Sequence, residues 1–156
     1  MEDKLPSFVE LNLKRCVEGF EQGLDDPKFN DLYYIACIMQ ELGEVAAIKT
    51  KLIRGFNKRE EKKFRAKILR IAKENGNLES ETKILNETSH ELLESMWRTS
   101  KLMDLADELA DVNIYLNLLA TRNHIDLKYY TLHKFNEVSK EMGLGPEFFL
   151  KSINQF

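Results

Sequence analysis

The chain is poor in everything that interrupts a helix. Its 156 residues hold three prolines and seven glycines, and nowhere is there a sustained strand-like alternation of apolar and polar residues. Long apolar runs are missing too, since no window approaches the ~20 residues that cross a bilayer. The opening Met1-Glu2-Asp3-Lys4-Leu5-Pro6 is too polar for a secretory leader. Cys16 and Cys37 are the only cysteines, and no partner lies at metal-ligand spacing, so both read as core thiols. A net charge of −3 gives the whole molecule no electrostatic reason to hold nucleic acid. The expectations are a cytoplasmic protein with neither nucleic acid nor membrane as partner.

Several nucleotide-site and catalytic patterns are also missing. No G-x-x-x-x-G-K-[ST] loop exists, which removes the P-loop as a motif. His90, His124 and His133 are scattered, and none precedes an aspartate. Glu87-Thr88-Ser89-His90 is a single E-x-x-H, whereas a ferritin-like di-iron bundle needs two. No serine or cysteine has an identifiable base partner.

What is present is helical. Ser7-Phe8-Val9-Glu10 has the form of a capping box that starts a helix running to about Gly23. Asp25-Asp26-Pro27 reads as a turn. A second helix is expected over Asp31–Arg54 and closed by Gly55. Lys58 to Lys73 holds eight basic residues interleaved with Phe64, Ile68, Leu69 and Ile71, an amphipathic helix whose cationic outer face reads as solvated. Asn75-Gly76-Asn77 breaks it. Another helical stretch reaches Trp97, with a restart at Thr88-Ser89-His90-Glu91, and a long helix follows over Leu102–Asn123. Asp126 caps one more, which stops at Gly143-Leu144-Gly145, and Pro146 suits the first turn of a short terminal helix. The fold class is all-α, an antiparallel helical bundle in one domain over residues 1–156.

Two short acidic patterns stand out: Glu41-Leu42-Gly43-Glu44 and Glu108-Leu109-Ala110-Asp111. Residues three apart are neighbours on a helix surface, so each sets two carboxylates side by side. Their placement is unusual. Glu41 and Glu44 share a face with Cys37, Ile38, Val45 and Ile48, while Glu108 and Asp111 share one with Leu105, Val112, Tyr115 and Leu119. Acids bordering an apolar stripe repel one another and lose hydration unless something compensates. A hard divalent cation such as Mg²⁺ would, since it takes oxygen ligands and keeps room for waters and phosphates. A single E-x-x-E is ordinarily a solvated face; two copies of this kind are less ordinary.

The two motifs, with the wording ELGEVAAI around the first and DELADVNIYLNLLA around the second, resemble the paired metal-binding signature of the MazG-like all-α nucleotide pyrophosphohydrolases. The segment HIDLKYYTLHKFNEVSKEMG is similar to that family's closing helix, with its Lys-x-Asn at Lys134 and Asn136. The likeness covers residues of about 31–55 and 102–143. It implies Mg²⁺, with Mn²⁺ as a substitute, held by Glu41, Glu44, Glu108 and Asp111. It further implies that Tyr115 and Lys134 reach phosphate oxygens and that Asn136 hydrogen-bonds the nucleoside. The implied reaction is hydrolysis of a (deoxy)nucleoside triphosphate to monophosphate and pyrophosphate, with Glu41 or Glu44 orienting or deprotonating water, in a homodimer or dimer of dimers. A helical dUTP/dCTP hydrolase, a phosphoribosyl-ATP pyrophosphohydrolase and a non-enzymatic helical module whose acids pair with Lys58–Lys73 are the alternatives. The chain departs from the pattern in its long spacer, a helical insertion at about 56–100. Trp97, Phe20 and Phe29 are available for base stacking, although core positions suit all three.

Overall fold

The computed structural model describes residues 7–23 and 26–151. Among them the protein is all-α, with six α-helices and no strand. The chain divides into two units, one formed by the residues up to Ile38 together with those from Asn113 onward, the other by Met39–Val112. No described helix is long and apolar enough to cross a membrane.

Helix α1 (Phe8–Lys14) starts as its sequence demands. The Ser7 hydroxyl accepts from the Glu10 amide, and the Glu10 carboxylate accepts from the Ser7 amide at 2.6 Å. It does not run on to Gly23 as an α-helix. The chain widens into a π-helical turn over Arg15–Gly19, closed by Phe20 N–H donating to the Arg15 carbonyl. It then leaves the helix through Glu21 in the left-handed region. The wide turn carries Cys16, which is buried beside the fully buried Tyr34, its Sγ 3.8 Å from the Tyr34 hydroxyl. After a 3-10 turn (Pro27–Phe29), Asn30 accepts from the Tyr33 amide at the head of helix α2 (Asp31–Arg54). Gly55 ends α2 at φ 74°, where the missing Cβ removes the penalty of a left-handed residue.

Asn57 caps helix α3 (Lys58–Glu74) by accepting from the Arg59 and Glu60 amides. Helix α4 (Leu78–Glu87) follows a three-residue turn, Asn75-Gly76-Asn77. Helix α5 (His90–Arg122) begins where Ser89 accepts from the Leu92 amide, and it continues for 33 residues. The boundary expected between Trp97 and Leu102 is absent. Arg98-Thr99-Ser100-Lys101 contains neither Pro nor Gly, and hydroxyl residues only weaken a helix. His124, at φ 54°, closes α5. Asp126 then accepts from the Tyr129 amide to cap helix α6 (Leu127–Glu141), and a 3-10 turn (Pro146–Phe148) comes last.

In the Met39–Val112 unit, Phe56, Phe64, Leu85, Leu93 and Trp97 form the core, with Leu52, Ile68 and Leu69 packed against it. Phe56 comes from the α2–α3 turn, its ring 5.4 Å from Trp97 and edge-on to Phe64. Arg65 fastens α3 to α4 by donating to the Leu85 carbonyl at 2.7 Å. In the other unit Cys16, Tyr34 and Leu118 are the buried centre, with Phe29, Tyr33, Ile114, Tyr115 and Leu119 around them. Arg122 ties its helix to the start of α2, pairing with Asp31 at 3.0 Å and donating to the Phe29 carbonyl. Trp97 and Phe29 are therefore core residues. Phe20 is not; it is 60% exposed, with the Arg15 guanidinium over its ring.

Candidate metal centre

The Met39–Val112 unit pairs the end of α2 with the start and middle of α5. Leu52 packs on the cluster that contains Leu93 and Trp97, while Glu41, eleven residues earlier, meets Glu108 and Asp111. Ascending α2 thus corresponds to descending α5, so the two segments run antiparallel. Ile48 on α2 and Val112 on α5 are both buried. Glu41 lies two turns before Ile48 and Glu108 one turn before Val112, so each carboxylate is on the side of its own helix that carries a buried apolar residue.

Oxygens of Glu41, Glu108 and Asp111 all lie within 4.8 Å of one another. Glu41 and Glu108 are half-buried and Asp111 is exposed. Glu108 registers the crowding. Desolvation holds its carboxyl above the usual range, reinforced by the charge of Glu44, by a hydrogen bond with Glu41, and by the charges of Glu41 and Asp111. Among the described residues no Lys, Arg or His forms an ion pair with any of the four acids. Lys101, on the same helix, is engaged by Asp104.

Glu44 stands apart from the three-carboxylate group. Its side chain is exposed and accepts from the Gln40 amide at 3.4 Å, yet its charge is felt at Glu108. Gln40 has no part in either acidic motif; its i, i+4 spacing to Glu44 is the local signal for the contact. A donor set of clustered carboxylates without a protein cation has the chemistry of a hard divalent ion site: several oxygens of like charge and an open, wet side. Among the described residues no sulfur or imidazole joins the group, so its donors suit a hard divalent cation better than a soft metal.

The three residues expected at the substrate belong to the other unit. Tyr115 is half-buried against the Cys16–Tyr34–Leu118 centre. Lys134 is exposed and pairs with Glu137 at 2.7 Å, which raises the lysine's pKa and lowers the glutamate's. Asn136 clamps the chain near its end, accepting from the Leu150 amide at 2.8 Å and donating to the Leu150 carbonyl at 3.0 Å. Compared with protein-family models, with curated proteins and with solved structures, the chain has no match.

Proposed function

We propose that the protein is a Mg²⁺-dependent nucleoside triphosphate pyrophosphohydrolase that yields a monophosphate and pyrophosphate. The observation that carries this reading is the convergence of Glu41, Glu108 and Asp111 from two antiparallel helices, with no ion pair to any of them among the described residues. The likeness of the two acidic motifs and of the Lys134-Phe135-Asn136 segment to MazG-like enzymes supports it. The absence of ion pairs at the acids speaks against an interaction module in which they would be paired with Lys58–Lys73.

When bound, Mg²⁺ would neutralise phosphate charge and stabilise the leaving pyrophosphate. Glu41, Glu108 and Asp111 would hold it, their own repulsion relieved in doing so. Glu44, outside the group of three and oriented by Gln40, is the carboxylate best placed to accept a proton from an attacking water. The resemblance assigns Lys134 to phosphate oxygens and Asn136 to the nucleoside; both belong to the unit that does not hold the acids.

A homodimer belongs to the same proposal. Apolar side chains on the helices that carry the acids are uncovered, with Ile53 83% and Met103 65% exposed and Met39, Leu42 and Leu109 also in the open. Surfaces of this kind mark association sites. The experiment is a panel of deoxynucleoside and ribonucleoside triphosphates incubated with Mg²⁺, with products separated chromatographically. Monophosphate and pyrophosphate are expected, and EDTA should stop their formation. Turnover that persists in excess EDTA, or release of orthophosphate alone, would overturn the assignment. The same panel, extended to dUTP, dCTP and phosphoribosyl-ATP, identifies the substrate.

A further inference from the structure

The net negative charge of the chain hides a local excess of the opposite sign. Helix α3 carries eight basic and three acidic residues. Seven of the eight cations are exposed: Lys58, Arg59, Lys62, Lys63, Lys67, Arg70 and Lys73. At 100° per residue they occupy about half of the helix circumference, while Phe64, Ile68 and Ala72 occupy the side turned to the core. Arg65 is the exception, committed to Glu61 and the Leu85 carbonyl. Lys63 and Arg70 make only long contacts of 3.9 Å with Glu60 and Glu74. Among the described residues, no ion pair engages Lys58, Arg59, Lys62, Lys67 or Lys73.

This arrangement works against the helix itself. Lys58 and Lys62, Arg59 and Lys63, and Lys63 and Lys67 are like-charged pairs at i, i+4; Arg59 and Lys62, Lys67 and Arg70, and Arg70 and Lys73 repeat the repulsion at i, i+3. A face kept merely for solubility would intersperse both signs. Glu60, Glu61 and Glu74 offset part of this repulsion; the five cations with no ion pair among the described residues point to a partner that supplies the rest.

We infer that the exposed face of α3 binds the phosphate backbone of duplex nucleic acid, without reading its sequence. The charges run over sixteen residues, about 24 Å of helix, a length along which a duplex presents a continuous row of phosphates. The exposed cations are interleaved with no exposed aromatic side chain on which unpaired bases would stack. An anionic bilayer fits less well. An interfacial helix buries its apolar side in lipid, and here that side is buried under Leu85, Leu93 and Trp97.

The test is fluorescence anisotropy of the full chain with a labelled mixed-sequence 20-base-pair DNA, in EDTA, between 50 and 200 mM NaCl. Five unpaired cations predict a slope of log K against log [salt] of about −4.5. The triple variant Lys62→Gln, Lys67→Gln, Lys73→Gln should reduce that slope to about −2 and weaken binding at least tenfold at 50 mM salt. It should leave triphosphate hydrolysis and the far-ultraviolet circular dichroism unchanged. The inference fails if the wild-type protein does not bind at 50 mM salt, or if the variant binds as tightly. It also fails if a single strand or phosphatidylserine vesicles are preferred over the duplex. Should the variant not fold, the wild-type slope and the competition with vesicles decide.

Discussion

Replacing Glu108 by Gln removes one charge from the centre of the acidic group and nearly nothing from its shape, so it separates two effects that ordinarily travel together. On the proposed reading, Mg²⁺ would bind the native state of the wild-type protein selectively. At a free concentration ten times its dissociation constant, the linkage relation gives about 1.4 kcal/mol of stabilisation. For a chain of this size that corresponds to a rise in Tm of roughly 3–6 °C. The variant keeps two of the three converging carboxylates, and at the same Mg²⁺ concentration its Tm should hardly move. Without metal the sign reverses. The folded-state pKa of Glu108 is raised, so the stability linked to its proton is full below the ordinary carboxylate value and is lost as pH rises through the higher folded value. At pH 7.5 the wild type carries that loss and the variant does not. The metal-free variant should therefore melt at the same or a higher temperature at pH 7.5, and the difference should vanish near pH 4. Differential scanning fluorimetry at both pH values, with and without Mg²⁺, reads all four quantities. A metal-free variant clearly less stable at pH 7.5, still shifted by Mg²⁺ as far as the wild type, would refute the reasoning. Glu108 would then be a structural partner and not a crowded ligand.

The remaining predictions concern the scaffold. Leu93 is fully buried among Phe56, Phe64, Leu85 and Trp97, so Leu93→Ala should destabilise the protein by about 2–5 kcal/mol; a loss under 1 kcal/mol in urea titration would mean this cluster is not a packed core. Arg65→Lys cannot span the Leu85 carbonyl and Glu61 together, and losing the carbonyl bond should cost about 1 kcal/mol. Because Arg65 and His90 hold the Glu61 carboxyl below its ordinary value, the Arg65–Glu61 contribution is complete above that value. It fades as pH falls through the lowered one, so the gap between wild type and Arg65→Lys should narrow in acid. Asn136→Ala should release the clamp on Leu150, seen as faster amide hydrogen exchange at Leu150. Unchanged exchange there would show that the clamp is idle.

Helix positions were legible wherever the chain carries local punctuation. Ser7, Asn57 and Asp126 cap their helices through side chains, and Gly55, Gly76 and Gly143 adopt positive φ at their ends. These devices act within four residues, and sequence spacing shows them directly. The two departures lie where such devices are missing. The stretch from Arg98 to Lys101 looked like an interruption because its side chains are polar, but polarity does not break a helix that keeps its backbone bonds. The π-helical turn at Arg15–Gly19 serves the packing of Cys16 against Tyr34. That is a contact between residues eighteen apart, and no local pattern announces it.

The acidic site was legible for a related reason. An i, i+3 pair bordering an apolar stripe is a local conflict between charge and burial, and the sequence displays both sides of it. What the two patterns do not contain is which acids meet across the helix pair. Helical rotation puts Glu41 and Glu44 some 60° apart; Glu41 turns to Glu108 and Asp111 on α5, while Glu44 turns to Gln40. The same rotation gives the two glutamates separate surroundings. Glu41 stands in a group of like charges, whereas Glu44 is exposed and accepts from the Gln40 amide. Exchanging their places would require rolling α2 by about 60°, which the burial of Ile48 opposes.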